Sequence, residues 1–233
     1  MNLSKINESN IFATSIFHTK IPSYGIFNQE FEKYIYDLKN KNPKSDHKSN
    51  QKGWHSPDLN LDDKIITKLV NILDPILEDI IKNLNWDLDQ YFIGYQSIWS
   101  IINDKYSYNT VHHHGNALLS LAYYVKIPKD IKKGGELFFK DYRISSQQRK
   151  PPITTASKLE KNYFKKMRPN KTHGFYQIDI TPREGDLIIF PGWVEHGVKQ
   201  SNSNEDRIVI SANVDLYPKP DMIKPGHHAN YRN

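Results

Sequence analysis

Apolar residues follow two periodicities along this chain, and the change from one to the other divides it. Over the first ninety residues they recur at helical spacing: Phe27, Phe31, Tyr34, Ile35 and Leu38 form one stripe, and Ile65, Ile66, Leu69, Val70, Ile72 and Leu73 form a second. Asp74-Pro75 has the form of an N-cap followed by proline at the first helical position. Ile76, Leu77, Ile80, Ile81 and Leu84 are therefore expected on a further helix, or on the continuation of the second after a kink. From Tyr91 onward the pattern is that of strands. Phe92 to Ile102, Ala117 to Ile127, Glu136 to Phe139, Phe175 to Thr181, Leu187 to Phe190 and Arg207 to Val214 are short runs rich in β-branched and aromatic residues, separated by Gly, Pro, Asn and Asp. The order predicts a mainly β, α+β protein, with an antiparallel barrel or sandwich over 91–216 preceded by a helical layer over 1–90.

Two stretches fall outside this pattern. Residues 142–174 are polar, with Pro151-Pro152 and scattered Lys and Arg; a loop of this length inside a compact domain is expected to be a lid-like insertion, with Leu159, Tyr163, Phe164 and Met167 on a short covering helix. The tail, 217–233, carries three prolines after Tyr217 and the pair His227-His228, and is expected as solvated coil. A length of 233 residues suits a single domain, 1–233.

Composition removes several function classes. With no cysteine, the chain has neither disulfides nor thiolate metal sites, so any metal must be held by nitrogen and oxygen. The net charge of +6 is spread along the sequence without forming a run, which gives no sign of a phosphate-binding surface, and nucleic acid is not an expected partner. No apolar run approaches the roughly eighteen residues of a membrane span, and the N-terminal residues lack the apolar core of a signal peptide, so a cytoplasmic protein without membrane contact is expected. Oligomeric state is not legible.

Candidate chemistry concentrates on histidine. In extended chain residues i and i+2 share a side, so His112 and His114 can reach one metal ion while His113 faces away. A third histidine, His196, follows an apolar strand ending in Phe190-Pro191-Gly192-Trp193, and Arg207 comes eleven residues later. Imidazole is the commonest transition-metal side-chain ligand, and a His/carboxylate set with open coordination positions is the site used by non-haem iron oxygenases.

The order of motifs around these histidines is informative as a set. After His112-His113-His114 come Ser120-Leu121-Ala122-Tyr123-Tyr124, then Gly134-Gly135-Glu136, Asp141, Pro182-Arg183-Glu184-Gly185, His196 and Arg207, with Gly53-Trp54 upstream. This order, from about Ser49 to Val214, resembles the double-stranded β-helix (a jelly-roll, cupin-like barrel) of the 2-oxoglutarate- and Fe(II)-dependent oxygenases, which include the prolyl hydroxylases. It is similar above all to a group of small oxygenases of marine bacteria and phages that carry H-x-H. The resemblance implies His112 and His196 as imidazole ligands of Fe(II). The position that usually carries the acidic ligand is His114, so the third ligand is either His114 or, swung in from the end of the Gly-Gly-Glu strand, Asp141. Arg207 is implied as the two-pronged partner of the distal carboxylate of 2-oxoglutarate, with Tyr124 and Ser120 on the same binding surface.

The implied reaction is oxygenation with dioxygen, usually hydroxylation, of a small-molecule or peptide substrate, with release of succinate and CO2. Two alternatives stand beside it: a cupin-type metal protein acting without 2-oxoglutarate, and a non-catalytic binding module with a vestigial site. Asn116-Ala117-Leu118-Leu119 lacks the glutamate that cupins place after H-x-H, which counts against the first. Asn103 and Asn213 are read as substrate contacts or turn residues, and Trp54, Trp99 and Trp193 as core or pocket lining.

Overall fold

The two apolar stripes fold as the helices their spacing predicts. In a computed structural model, which describes residues 12–130, 134–143 and 177–222, α1 (Tyr24–Lys41) buries Asn28, Phe31 and Ile35, and α2 (Lys64–Asn83) buries Ile66, Leu69, Leu73, Leu77, Ile80 and Ile81. Asp63 caps α2, its carboxylate accepting the Ile65 N–H at 3.1 Å. Of the two readings of Asp74-Pro75, continuation holds and the cap does not. The helix runs through Pro75, and the Asp74 carboxylate accepts a hydrogen bond from Tyr95 Oη at 2.7 Å. Leu69, Leu73 and Leu77 keep one buried stripe across the proline, and that packing offsets the missing N–H.

Among the described residues eleven strands make two sheets. They are β1 (Phe17–Lys20), β2 (Asn50–Gln51), β3 (Trp54–His55), β4 (Tyr91–Asn103), β5 (Tyr108–His112), β6 (Leu119–Lys126), β7 (Leu137–Lys140), β8 (Gln177–Ile180), β9 (Asp186–Pro191), β10 (His196–Val198) and β11 (Arg207–Pro218). The larger sheet has the order β1-β9-β6-β11-β4-β3 and the smaller β2-β5-β10-β7-β8, with antiparallel pairing throughout. The expected barrel is thus a pair of sheets and not a closed cylinder. The six predicted runs all appear as strands within the described residues. Those missed (β1, β2, β3, β5 and β10) are two to five residues long and largely polar, so no apolar run marks them. Three of them lie before residue 90, so the expected helical layer also supplies an edge strand to each sheet.

Alternation in the larger sheet sorts its side chains into two sets. Leu119, Leu121, Tyr123 and Val125 of β6, Leu187 and Ile189 of β9, and Ile208, Ile210, Ala212 and Val214 of β11 pack with the buried faces of α1 and α2. Ala122 and Tyr124, Ile188 and Phe190, and Val209 turn the other way and pack with Leu137, Phe139 and Val198 of the smaller sheet. Each fully buried Leu or Ile on the helix side contributes roughly 1.5–3 kcal/mol. The lid expected at 142–174 lies, except for Tyr142 and Arg143, outside the described residues, as do His227 and His228. No helix among the described residues is long and apolar enough to cross a membrane.

Candidate metal centre

Pairing of two short strands places the first two histidines opposite one another. In the β5–β10 ladder His196 is the direct partner of His112, and their rings lie 4.3 Å apart, centroid to centroid. His114 comes two residues on, where the chain leaves β5; its N–H donates to Gly192 O at 2.7 Å and its carbonyl accepts from Ala117 N at 3.0 Å. A Cβ at position 192 would sit 2.2 Å from Ala117 O and 2.7 Å from His114 O, so the crossing requires glycine there. The His114 ring ends 5.1 Å from that of His112 and 5.0 Å from that of His196. The three offer ligand nitrogens within 4.8 Å of one another.

Hydrogen bonds fix which nitrogen of each ring is free. His112 Nδ1 donates to Thr110 O at 2.8 Å and His196 Nδ1 to Val194 O at 2.9 Å, and because a carbonyl only accepts, both Nδ1 atoms carry the proton. His114 Nδ1 donates to Asn213 Oδ1. All three Nε2 atoms therefore keep a lone pair. Burial lowers all three pKa values. That of His112 falls to about 4, and that of His196, which the charge of His112 lowers further, falls to about 3. The trio is neutral at physiological pH, the state in which imidazole binds a metal.

The same cavity, about 640 Å³ in volume, holds Arg207 and Tyr124. Arg207 begins β11 and is 4% exposed, with its guanidinium carbon 5.1 Å from the centroid of the Tyr124 ring. Among the described residues no carboxylate pairs with Arg207, and its Nε and the Tyr124 hydroxyl are both buried without a hydrogen-bond partner. Burying a cation without a partner is costly, so this arrangement calls for an anion. Burial raises the Tyr124 pKa and the neighbouring guanidinium opposes the rise, so the phenol keeps its proton as a donor. Three neutral imidazoles converging on one point, facing two orphaned donors, fit Fe(II) and a chelating dicarboxylate.

The other two predicted residues lie elsewhere. Asp141 is not in the histidine group and does not line the cavity; its carboxylate accepts from Arg143 Nε and Nη2, each at 2.9 Å, and from the Arg143 N–H at 3.0 Å. Ser120 Oγ donates to Asn213 Oδ1 at 2.9 Å and lies 3.1 Å from His114 Nδ1, beside the histidine and not at Arg207. Sequence reasoning gave Asn213 no definite role, although it shares the Arg207 face of β11 by simple alternation. It also passed over His55, whose buried ring stacks on Trp99 at 5.9 Å and lines the cavity.

With this geometry, the relatives can be compared. The model of a family described as "Putative 2OG-Fe(II) oxygenase" matches residues 97–213, half of the chain. None of the curated proteins matches. A prolyl-4-hydroxylase from Pseudomonas putida superposes with a TM-score of 0.59 at 10% identity, covering 88% of this chain and 94% of that one. HygX from Streptomyces hygroscopicus, solved with nickel, 2-oxoglutarate and hygromycin B, gives 0.56 at 12% identity over 87% and 83%. The non-haem α-ketoglutarate-dependent epimerase SnoN from nogalamycin biosynthesis gives 0.59 at 13% over 95% and 87%. At such identities the likeness establishes the double-stranded β-helix fold.

Proposed function

The chain belongs to the 2OG-Fe(II) oxygenase family, and from that premise we propose that His112, His114 and His196 hold the iron and that Arg207 and Tyr124 hold the distal carboxylate of 2-oxoglutarate. One observation carries the reading. Three histidines with free Nε2 atoms share a cavity with a buried guanidinium that has no anionic partner among the described residues. The cupin-type and vestigial alternatives are not favoured, since neither gives Arg207 anything to bind. When bound, Fe(II) and 2-oxoglutarate would activate dioxygen, the four-electron oxidant, which takes two electrons from decarboxylation of the cosubstrate to succinate and CO2 and two from a substrate C–H bond.

The chain's own residues bind and orient. Arg207 neutralises the distal carboxylate in a planar, two-pronged geometry, and Tyr124 adds a phenolic donor. Main-chain carbonyls at Thr110 and Val194 hold two of the imidazoles in the metal-ready tautomer. Tyr124, Phe190 and Val209 wall the cavity and exclude water from its floor. The substrate is a small molecule or a peptide and the co-reactant is dioxygen; we read hydroxylation as the outcome, in one domain working in the cytoplasm, where reducing conditions keep iron in its Fe(II) state.

Titration of Co(II) into metal-free protein tests the ligand set. Alanine at His112, His114 or His196 is expected to weaken binding by more than about a hundredfold, whereas Asp141→Ala should bind as the unmodified protein does. Loss of binding in Asp141→Ala with retention in His114→Ala would overturn the assignment in favour of the carboxylate.

A further inference from the structure

We propose that Asn213 is a positioning residue which, through its hydrogen bond to His114, fixes the tautomer that frees Nε2 for the metal without adding negative charge, and so leaves the bound dicarboxylate to balance the metal. The inference rests on the three-histidine ligand set above.

The three imidazoles are not supported alike. His112 and His196 donate Nδ1–H to main-chain carbonyls, each two residues earlier in the chain. His114 instead donates to a side chain, the Oδ1 of Asn213. That oxygen is held as an acceptor from a second direction, because Ser120 Oγ donates to it at 2.9 Å. Ser120 and Asn213 are direct partners across the β6–β11 ladder, so the sheet register itself sets the contact. An amide turned the other way would aim its NH2 at the His114 Nδ1–H, another donor.

The consequence is electrostatic. An acceptor on Nδ1–H fixes the tautomer, aims Nε2 and raises its basicity, and a carboxylate acceptor does so more strongly than an amide because it also brings a negative charge. Asn213 is the shape of aspartate without the charge. With three neutral imidazoles and a neutral amide behind one of them, the dipositive ion keeps its full charge until an anion arrives. Arg207 stands in the same cavity, so the site carries a surplus of positive charge suited to a dianion. Metal and cosubstrate should then strengthen each other's binding, with residue 213 setting by how much.

The test is a pair of titrations on the full chain: Co(II) into metal-free protein, then 2-oxoglutarate, without oxygen, into the Co(II)-loaded form. Asn213→Leu removes the acceptor and should weaken Co(II) by about ten- to a hundredfold. Asn213→Asp keeps the shape and adds a charge; it should tighten Co(II) by about tenfold and weaken 2-oxoglutarate by a similar factor. This opposed pair of shifts is not what a packing role would give. If Asn213→Asp weakens Co(II) as the leucine variant does, or both variants bind as the unmodified protein does, the inference is overturned. Should the leucine variant fail to fold, the isosteric aspartate decides alone. Failure of the unmodified protein to bind Co(II) would instead sink the ligand set beneath it.

Discussion

Along β11 the side chains alternate between two environments that ask opposite things of them. Ile208, Ile210, Ala212 and Val214 face the helices and are apolar and buried, whereas Arg207, Val209, Ser211 and Asn213 line the cavity. The helix-side contacts are complete as they stand. The cavity side leaves a buried guanidinium with no anionic partner among the described residues and three imidazoles with free lone pairs. One strand therefore carries stability on one face and unmet bonding capacity on the other, and the two faces should respond to substitution with opposite signs.

The largest effect is expected on the helix face. Ile210→Ala leaves a void in a fully buried position and should lower unfolding free energy by about 2–5 kcal/mol in chemical denaturation, while the folded fraction keeps its Co(II) affinity. A loss of affinity beyond that from unfolding would show that the faces are not separable. On the cavity face, Arg207→Met should weaken 2-oxoglutarate by about a hundredfold, in line with roughly 1.5–3 kcal/mol for a hydrogen bond to a charged group. The same variant should raise the Tm of the ligand-free protein, because it removes a buried cation with no anionic partner among the described residues. A lower Tm would mean that the guanidinium is satisfied without a ligand.

The most gradual effect is on pH. Burial holds His112 near 4 and His196 near 3, and lowers His114, whereas the unfolded chain protonates its histidines near 6.5. Between those values the unfolded state binds more protons, so stability of the metal-free protein is fully present above about pH 6.5 and is lost as pH falls toward 4. The loss should be roughly 1.4 kcal/mol per pH unit for each imidazole that the fold keeps neutral, measured by urea unfolding across the window. A flat profile from pH 6.5 to 4 would show that the imidazoles are open to water in the folded state.

The same alternation decides how much could be read from sequence. Both helices and six of the strands announce themselves as apolar or alternating runs. The other five do not, and β5 and β10 are the pair that set His112 against His196. Spacing paired His112 with His114, and the order of motifs downstream brought in His196. The choice between His114 and Asp141 stayed open, because nothing in the sequence shows that Arg143, two residues away, engages the carboxylate. Asn213 was legible in principle, since counting by twos from Arg207 reaches it, but its partnership with His114 depends on a register between strands ninety residues apart. Asp74-Pro75 allowed two readings, a cap or a continuing helix, and the buried stripe running through it decides for continuation.

The most direct test is anaerobic difference absorption, adding Fe(II) and then 2-oxoglutarate to the metal-free protein and to Arg207→Met. A visible metal-to-ligand charge-transfer band that needs both additions, and that half-saturates at about a hundredfold higher 2-oxoglutarate in the variant, is the expected result. Iron that binds without any such band in the unmodified protein would contradict a site built for 2-oxoglutarate.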